Sequence, residues 1–241
     1  MFNSFKYIYI TILIRLLQAF KVSIAIFLNQ ISYYPNSVKS FEKKFREETG
    51  SLNALMFSNA TSAMEAALFS IGINEDSYVG STAFVIPSSY SSAKSLQARV
   101  IFFDIDANSL NICIDNIEEF KRPLSAIIVT HFYGNPCDME RIMQWATKNN
   151  IYVIEDCSHA HGAEYKGKPL GSWGHIGVFS LQGAKAVAAG EGAVVISNDS
   201  ELMIKMAAYG HQESYKSFNI EVEPDITIPS FGYGKKMRAH P

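Results

Sequence analysis

The stretch Ile151-Tyr-Val-Ile154-Glu155-Asp156-Cys157-Ser158-His159-Ala160-His161-Gly162 sets a short apolar run directly against an acidic pair. Ile151 to Ile154 has the length and apolar character of a strand buried on both faces. Glu155-Asp156 then places a carboxylate at the rim of the sheet that strand joins. A partly buried carboxylate needs a cationic partner or strong hydrogen-bond donors to remain ionised. A protonated ring nitrogen of a bound ligand would serve, and His159, three residues on, is within reach of the same ligand. Cys157, His159 and His161 are also metal-ligand types. They share a face only if their segment is a strand, and no second cluster completes a tetrahedral set. No metal is expected.

Outward from this stretch the chain alternates helices and strands. Ser37 to Glu48 carries Val38, Phe41 and Phe45 at helical spacing. Ala54 to Phe57 is a short apolar run, after which Ser58-Asn59-Ala60-Thr61 opens a helix through Ile71. Arg99 to Phe103 and Ser125 to Thr130 read as strands, and Asp138 to Asn149 as a helix. Val178 to Ser180 and Ala193 to Ser197 read as two more strands. Short apolar strands separated by helices predict a three-layer α/β/α sandwich around a mostly parallel sheet. Ligands gather at the carboxyl ends of such strands.

Two further segments fall at those ends. Ser58-Asn59-Ala60-Thr61-Ser62 is a strand-to-helix turn with free backbone N–H groups and hydroxyls, an anion site if anything joins it there. Gly177-Val-Phe-Ser180-Leu-Gln-Gly-Ala-Lys185, followed by Gly190-Glu-Gly192, surrounds one lysine with small residues. That leaves room for a ligand and lets the backbone approach it. A lysine kept from bulk water is also a candidate nucleophile.

Composition bounds the remaining possibilities. With 48% hydrophobic and 18% charged residues among 241, the chain can bury a substantial core. A formal net charge of -2 offers no basic field for nucleic acid. The small basic clusters at Lys43, Lys44 and Arg46, and at Lys235, Lys236 and Arg238, read as solvated faces. Cys113, Cys137 and Cys157 form neither a disulfide framework nor a zinc motif, and their odd number fits a reducing compartment, the cytoplasm. The absence of Gly-x-Gly-x-x-Gly after the first strand argues against a Rossmann-type nucleotide binder.

The first 28 residues stand apart. Phe2 to Leu28 is rich in Ile, Leu, Phe and Tyr, but Arg15 and Lys21 interrupt it. Its longest uncharged run, Tyr7 to Ile14, falls short of the ~20 residues that span a bilayer. No small-residue cleavage site follows. Residues 1–30 are therefore expected to form an apolar helical segment packing against the domain or a second subunit, with membrane-surface contact the less favoured alternative. Residues 31–241 form one large domain.

Together these segments resemble the DegT/DnrJ/EryC1/StrS sugar aminotransferases, within the fold-type-I pyridoxal-phosphate enzymes. The resemblance runs from about Pro35 to Pro241. Ala126-Ile-Ile-Val-Thr-His-Phe-Tyr-Gly-Asn-Pro-Cys-Asp-Met139 is similar to the family's strand, His-x-Tyr/Phe-Gly and Asp-Met run. Glu155 to Gly167 is similar to its cofactor-aspartate segment. Gly171-Ser-Trp-Gly174, Phe179-Ser180 and Lys185 resemble its lysine segment, which Glu191-Gly192 closes.

The resemblance implies pyridoxal 5'-phosphate as cofactor. Lys185 would be the Schiff-base lysine and proton shuttle, and Asp156 the partner of the pyridine N–H. His159 would lie near the ring's 3-oxygen. Ser180, Thr61 and Ser62 would hold the phosphate, and Phe84 would stack on the ring. The implied reaction moves an amino group from glutamate or glutamine to a keto-sugar, usually nucleotide-linked, or to a keto-cyclitol. The implied assembly is a homodimer with sites at its interface. The family's dehydratase branch replaces the lysine with histidine, and here the residue is Lys185.

The sequence departs from the pattern in places. Ala60 replaces a glycine in the phosphate turn, and Pro87 and the serines after it replace a Thr-x-Ala-like segment. Gly234, in Gly232-Tyr-Gly-Lys-Lys-Met237, stands where many members place an asparagine that reaches the partner subunit's phosphate. The family continues past this length into a small C-terminal domain, which is expected to be missing here. The alternative implied is a catalytically inactive remnant or scaffold subunit of the same family.

Overall fold

The computed structural model describes residues 2–27 and 36–210. The helices are α1 (Phe2–Phe27), α2 (Asn36–Thr49), α3 (Ala60–Ser70), α4 (Ser88–Ser95), α5 (Ile114–Glu119), α6 (Met139–Asn149) and α7 (Ser200–Gly210). The strands are β1 (Asn53–Phe57), β2 (Tyr78–Thr82), β3 (Arg99–Phe103), β4 (Ala126–Thr130), β5 (Tyr152–Asp156), β6 (Glu164–Tyr165), β7 (Lys168–Pro169), β8 (Ile176–Ser180) and β9 (Ala193–Ser197). Seven strands make one sheet in the order β1-β9-β8-β5-β4-β2-β3. β8, β5, β4, β2 and β3 run parallel, and β9 is antiparallel to both of its neighbours. The three-layer α/β/α architecture expected from the alternating pattern is the one observed.

Each face of the sheet has its own core. Val38 of α2, Ile117 of α5 and Met139, Ile142 and Ala146 of α6 pack with Ile127, Val129 and Val153 on one face. Ala63, Ala66, Ala67 and Leu68 of α3, Ala93 of α4 and Leu202, Met203 and Met206 of α7 pack with Ala126, Ile128, Ile154 and Val178 on the other. Consecutive strand residues alternate between the two clusters, as a pleated strand covered on both faces must. Ile127, Ile128, Ile154 and Leu68 are fully buried, each contributing roughly 1.5–3 kcal/mol relative to exposure. The alanines of α3 let that helix sit close to the sheet, with α4 and α7 beside it.

β2, α4, α5, β6, β7 and α7 are not read in the sequence, and the first two show why. β2 is five residues with Gly80 at its centre, where a Cβ would come within 2.9 Å of the Phe103 ring. α4 is mostly serine, a poor helix former. α6 has Asp138 as its N-cap, accepting from the Arg141 N–H at 3.3 Å, and ends at Asn150 in the left-handed conformation. α1 is helical, but none of its described side chains is buried.

Candidate active site

β2, β4, β5 and β8 all end on the same side of the sheet, and a cavity of about 280 Å³ opens at those ends. Thr61 at the start of α3, Ser89 of α4, Asp156 ending β5, His159, Ser180 ending β8, and Lys185 all line it. Strand periodicity separates the acidic pair. Ile154 belongs to the α3 face and Val153 to the α6 face, so Asp156 follows Ile154 and Glu155 follows Val153.

Asp156 is 5% exposed. Its Oδ2 accepts from the Ser89 hydroxyl at 2.6 Å and its Oδ1 from the Ser158 N–H at 3.1 Å. Two fixed donors hold the carboxylate at the cavity floor with lone pairs to spare. Glu155 is fully buried on the opposite face. It accepts from the N–H groups of Gly171 at 2.8 Å and Gly174 at 2.6 Å, and pairs with His131 Nε2 at 3.0 Å. The Cys137 N–H donates to His131 Nδ1 at 3.2 Å, so the ring proton belongs on Nε2, facing Glu155.

The ligand atoms of His131, Glu155 and Cys157 lie within 4.8 Å of one another. Both ring nitrogens and both carboxylate oxygens are already engaged. Burial, and then the Glu155 charge, push the Cys157 thiol well above its ordinary value, away from the thiolate that binds metal. This cluster is a hydrogen-bonded support for the loop from Gly171 to Gly174.

Asn59 caps α3 from an extended conformation, its Oδ1 accepting from the Ser62 N–H at 2.8 Å. Ala60 and Thr61 line the cavity with first-turn amides that have no carbonyl of their own helix to bond. Ala60 is an ordinary first-turn residue of α3, not among the residues of positive φ, so no glycine is needed there. On the far side, β8 and β9 are joined by a loop closed by Leu181 N–H to Gly192 O and Gly183 N–H to Gly190 O, both at 2.8 Å. Lys185 is half-buried, while every other residue from Gln182 to Glu191 is exposed.

His159 stacks on Tyr133, with ring centroids 5.5 Å apart and planes 13° from parallel. Tyr133 holds the left-handed conformation (φ 50°) that favours glycine. Burial, and then the positive charge of Lys185, hold His159 below its ordinary value. His159 Nδ1 is buried without a hydrogen-bond partner among the described residues, and so is Thr130 Oγ1. Both residues line the cavity. Orphaned buried polar atoms on a cavity wall mark a place where a ligand supplies the missing partner.

Of the expected site residues, Lys185, Asp156, His159, Ser180 and Thr61 meet at one cavity. Ser62 and Phe84 are not among its lining residues. The Ser62 N–H donates to the Asn59 cap. Phe84 is 47% exposed and leans on Phe132, while Val85 and Ile86 line the cavity instead. Ser89 and Thr130 were not anticipated. A serine at the start of a serine-rich segment has no local signal, and only the sheet order brings it to Asp156. The Gly232 to Met237 segment lies outside the described residues.

The chain matches the model of the DegT/DnrJ/EryC1/StrS aminotransferase family over residues 22–239. It belongs to that family. Among the family's relatives is a GDP-perosamine synthase of Escherichia coli O157:H7, 38% identical over 208 residues, which are 86% of this chain and 56% of that protein. An aminotransferase from Psychrobacter cryohalolentis superposes with a TM-score of 0.80 at 33% identity, over 93% of this chain and 57% of that one. A GDP-4-keto-6-deoxymannose-3-dehydratase solved with a trapped PLP-glutamate geminal diamine superposes with a TM-score of 0.67 at 26% identity. That match covers 74% of this chain and 47% of the dehydratase. The chain thus spans about half the length of the relatives it matches. The family-like segments now have structural roles here. His131 supports Glu155, Tyr133 stacks on His159, and Asp138 caps α6.

Proposed function

We propose that this chain binds pyridoxal 5'-phosphate and forms the cofactor half of an aminotransferase that moves an amino group from glutamate or glutamine to a keto-sugar. The observation that carries the reading is that Lys185 and the buried, doubly held Asp156 line one cavity at the carboxyl ends of the parallel strands. When bound, the cofactor supplies an electron-withdrawing ring that stabilises negative charge at the substrate carbon.

The chain's own residues do the rest. Asp156 would pair with the ring nitrogen and hold its proton there, because a buried carboxylate favours a cationic partner. The orphaned Nδ1 of His159 would serve the ring's 3-oxygen. Thr61, the first-turn amides of α3 and the Ser180 hydroxyl would hold the phosphate, which the positive end of the helix favours. Lys185 Nζ would hold the cofactor at its aldehyde carbon and carry the proton at the substrate carbon. Residues 31–241 make this cofactor-binding unit and residues 1–30 an appended helical segment.

Two measurements test the reading in sequence. Folded chain mixed with pyridoxal phosphate should develop a visible absorbance band, lost in Lys185→Ala while the fold is retained. The absence of a band in the wild type would end the proposal. Amino transfer from glutamate to nucleotide-linked keto-sugars by the purified chain then separates a working enzyme from a cofactor-binding subunit that does not turn over.

A further inference from the structure

The described side chains of α1, those of residues 12–24 and 27, are exposed, including Leu16 at 62%, Phe20 at 64% and Phe27 at 89%. At 3.6 residues per turn, Ile12, Leu13, Leu16, Phe20, Ile24 and Phe27 recur at intervals of three and four and fall on one side of the helix. Arg15, Gln18 and Lys21, three apart, lie on the other, with Ile14 and Val22 among them. Ser23 on the apolar side turns its hydroxyl back to the Ala19 carbonyl at 2.9 Å, so it presents no unmet polar group. The family match begins at residue 22, inside this helix, so the shared cofactor fold does not account for most of it.

Charge decides what covers the apolar side. α1 carries Lys6, Arg15 and Lys21, three of the chain's 21 basic residues, and none of its 23 acidic ones. A cationic, acid-free helix with one apolar face is complementary to an anionic lipid surface, in whose plane it would lie. A second α1 laid on the apolar side would leave Arg15 and Lys21 facing away from it, with no acidic group to meet them. Among the described residues, no helix is long and apolar enough to cross a membrane. We infer that α1 docks the protein on an anionic phospholipid surface, its Leu16–Phe20 side in the acyl boundary and Arg15 and Lys21 at the headgroups.

Co-sedimentation of the full chain with vesicles tests this, using phosphatidylcholine mixed with phosphatidylglycerol against phosphatidylcholine alone. The chain should bind the mixed vesicles, and on the order of tenfold less well either the neutral ones or the mixed ones at high salt. Leu16→Asp with Phe20→Asp should abolish binding, and Arg15→Gln with Lys21→Gln should weaken it on the order of tenfold. All four positions are exposed, and circular dichroism checks that each variant is folded. No binding to the mixed vesicles, or equal binding to both kinds, overturns the inference. So do oligomers that the Asp pair breaks into monomers without any vesicle binding, since a second copy is then the occupant.

Discussion

Side chains leave β5 alternately, and at its end this sends Glu155 into the layer of α5 and α6 and Asp156 into the layer of α3 and α4. The two carboxylates are adjacent in sequence and almost equally buried. Their surroundings differ. Glu155 accepts from two backbone N–H groups and a histidine and is not among the residues lining the cavity. Asp156 has one donor on each oxygen and opens onto a cavity whose wall has unmet polar atoms. A buried carboxylate that is fully partnered holds structure, and one left partly free holds a ligand.

The comparison is broken most severely by removing Glu155. Glu155→Ala strands two glycine N–H groups and His131 in the interior, and should cost about 3–5 kcal/mol of stability. Urea unfolding measures it, and a loss below about 1 kcal/mol would mean that the Glu155 face is not the supporting one. Gly171→Ala attacks the same support from the loop. Gly171 sits at φ +87°, and a Cβ would meet the Phe179 ring at 2.5 Å. Unfavourable backbone conformation and overpacking together should cost about 2–4 kcal/mol by the same measurement.

This division was half legible in the sequence. The apolar run before Glu155-Asp156 marked β5, and the alternation of apolar segments with amphipathic helices marked the layers, because burial leaves a periodic trace. Lys185, Asp156, His159, Ser180 and Thr61 could be named from their segments. Ser89 could not, since its contact with Asp156 spans 67 positions and exists only through the strand order. Ser62 and Phe84 fall outside the cavity lining, Phe84 resting on Phe132. Gly80 hid β2, because its value lies in what it leaves room for.

Ser89→Ala sharpens the comparison from the Asp156 side. It removes the donor at 2.6 Å from Oδ2, so the carboxylate loses one of its two tethers. A hydrogen bond to a charged group is worth about 1.5–3 kcal/mol, so cofactor affinity should fall on the order of tenfold or more by absorbance titration. Ser89→Thr, which keeps the hydroxyl, should restore most of it. If Ser89→Ala instead unfolds the chain as readily as Glu155→Ala, the two carboxylates are not doing different jobs.

The smallest effect expected is on pH dependence. Burial holds His159, His161 and His175 below the ordinary value of 6.5. In the unfolded chain these rings take up protons as the pH falls through about 6.5, while in the folded chain they resist until a lower pH. Between those points the unfolded state binds more protons, so stability rises with pH there. The contribution is full above pH 6.5 and is lost on acidification below it. His175 belongs to the structural side, because its Nδ1 accepts from the Val153 N–H at 2.9 Å and a proton there breaks that bond. His159 belongs to the ligand side. Proton NMR of the histidine rings should show all three titrating below 6.5, with pyridoxal phosphate moving His159 and leaving His175 in place. A His175 signal that follows the cofactor would join the two faces of β5 into one unit.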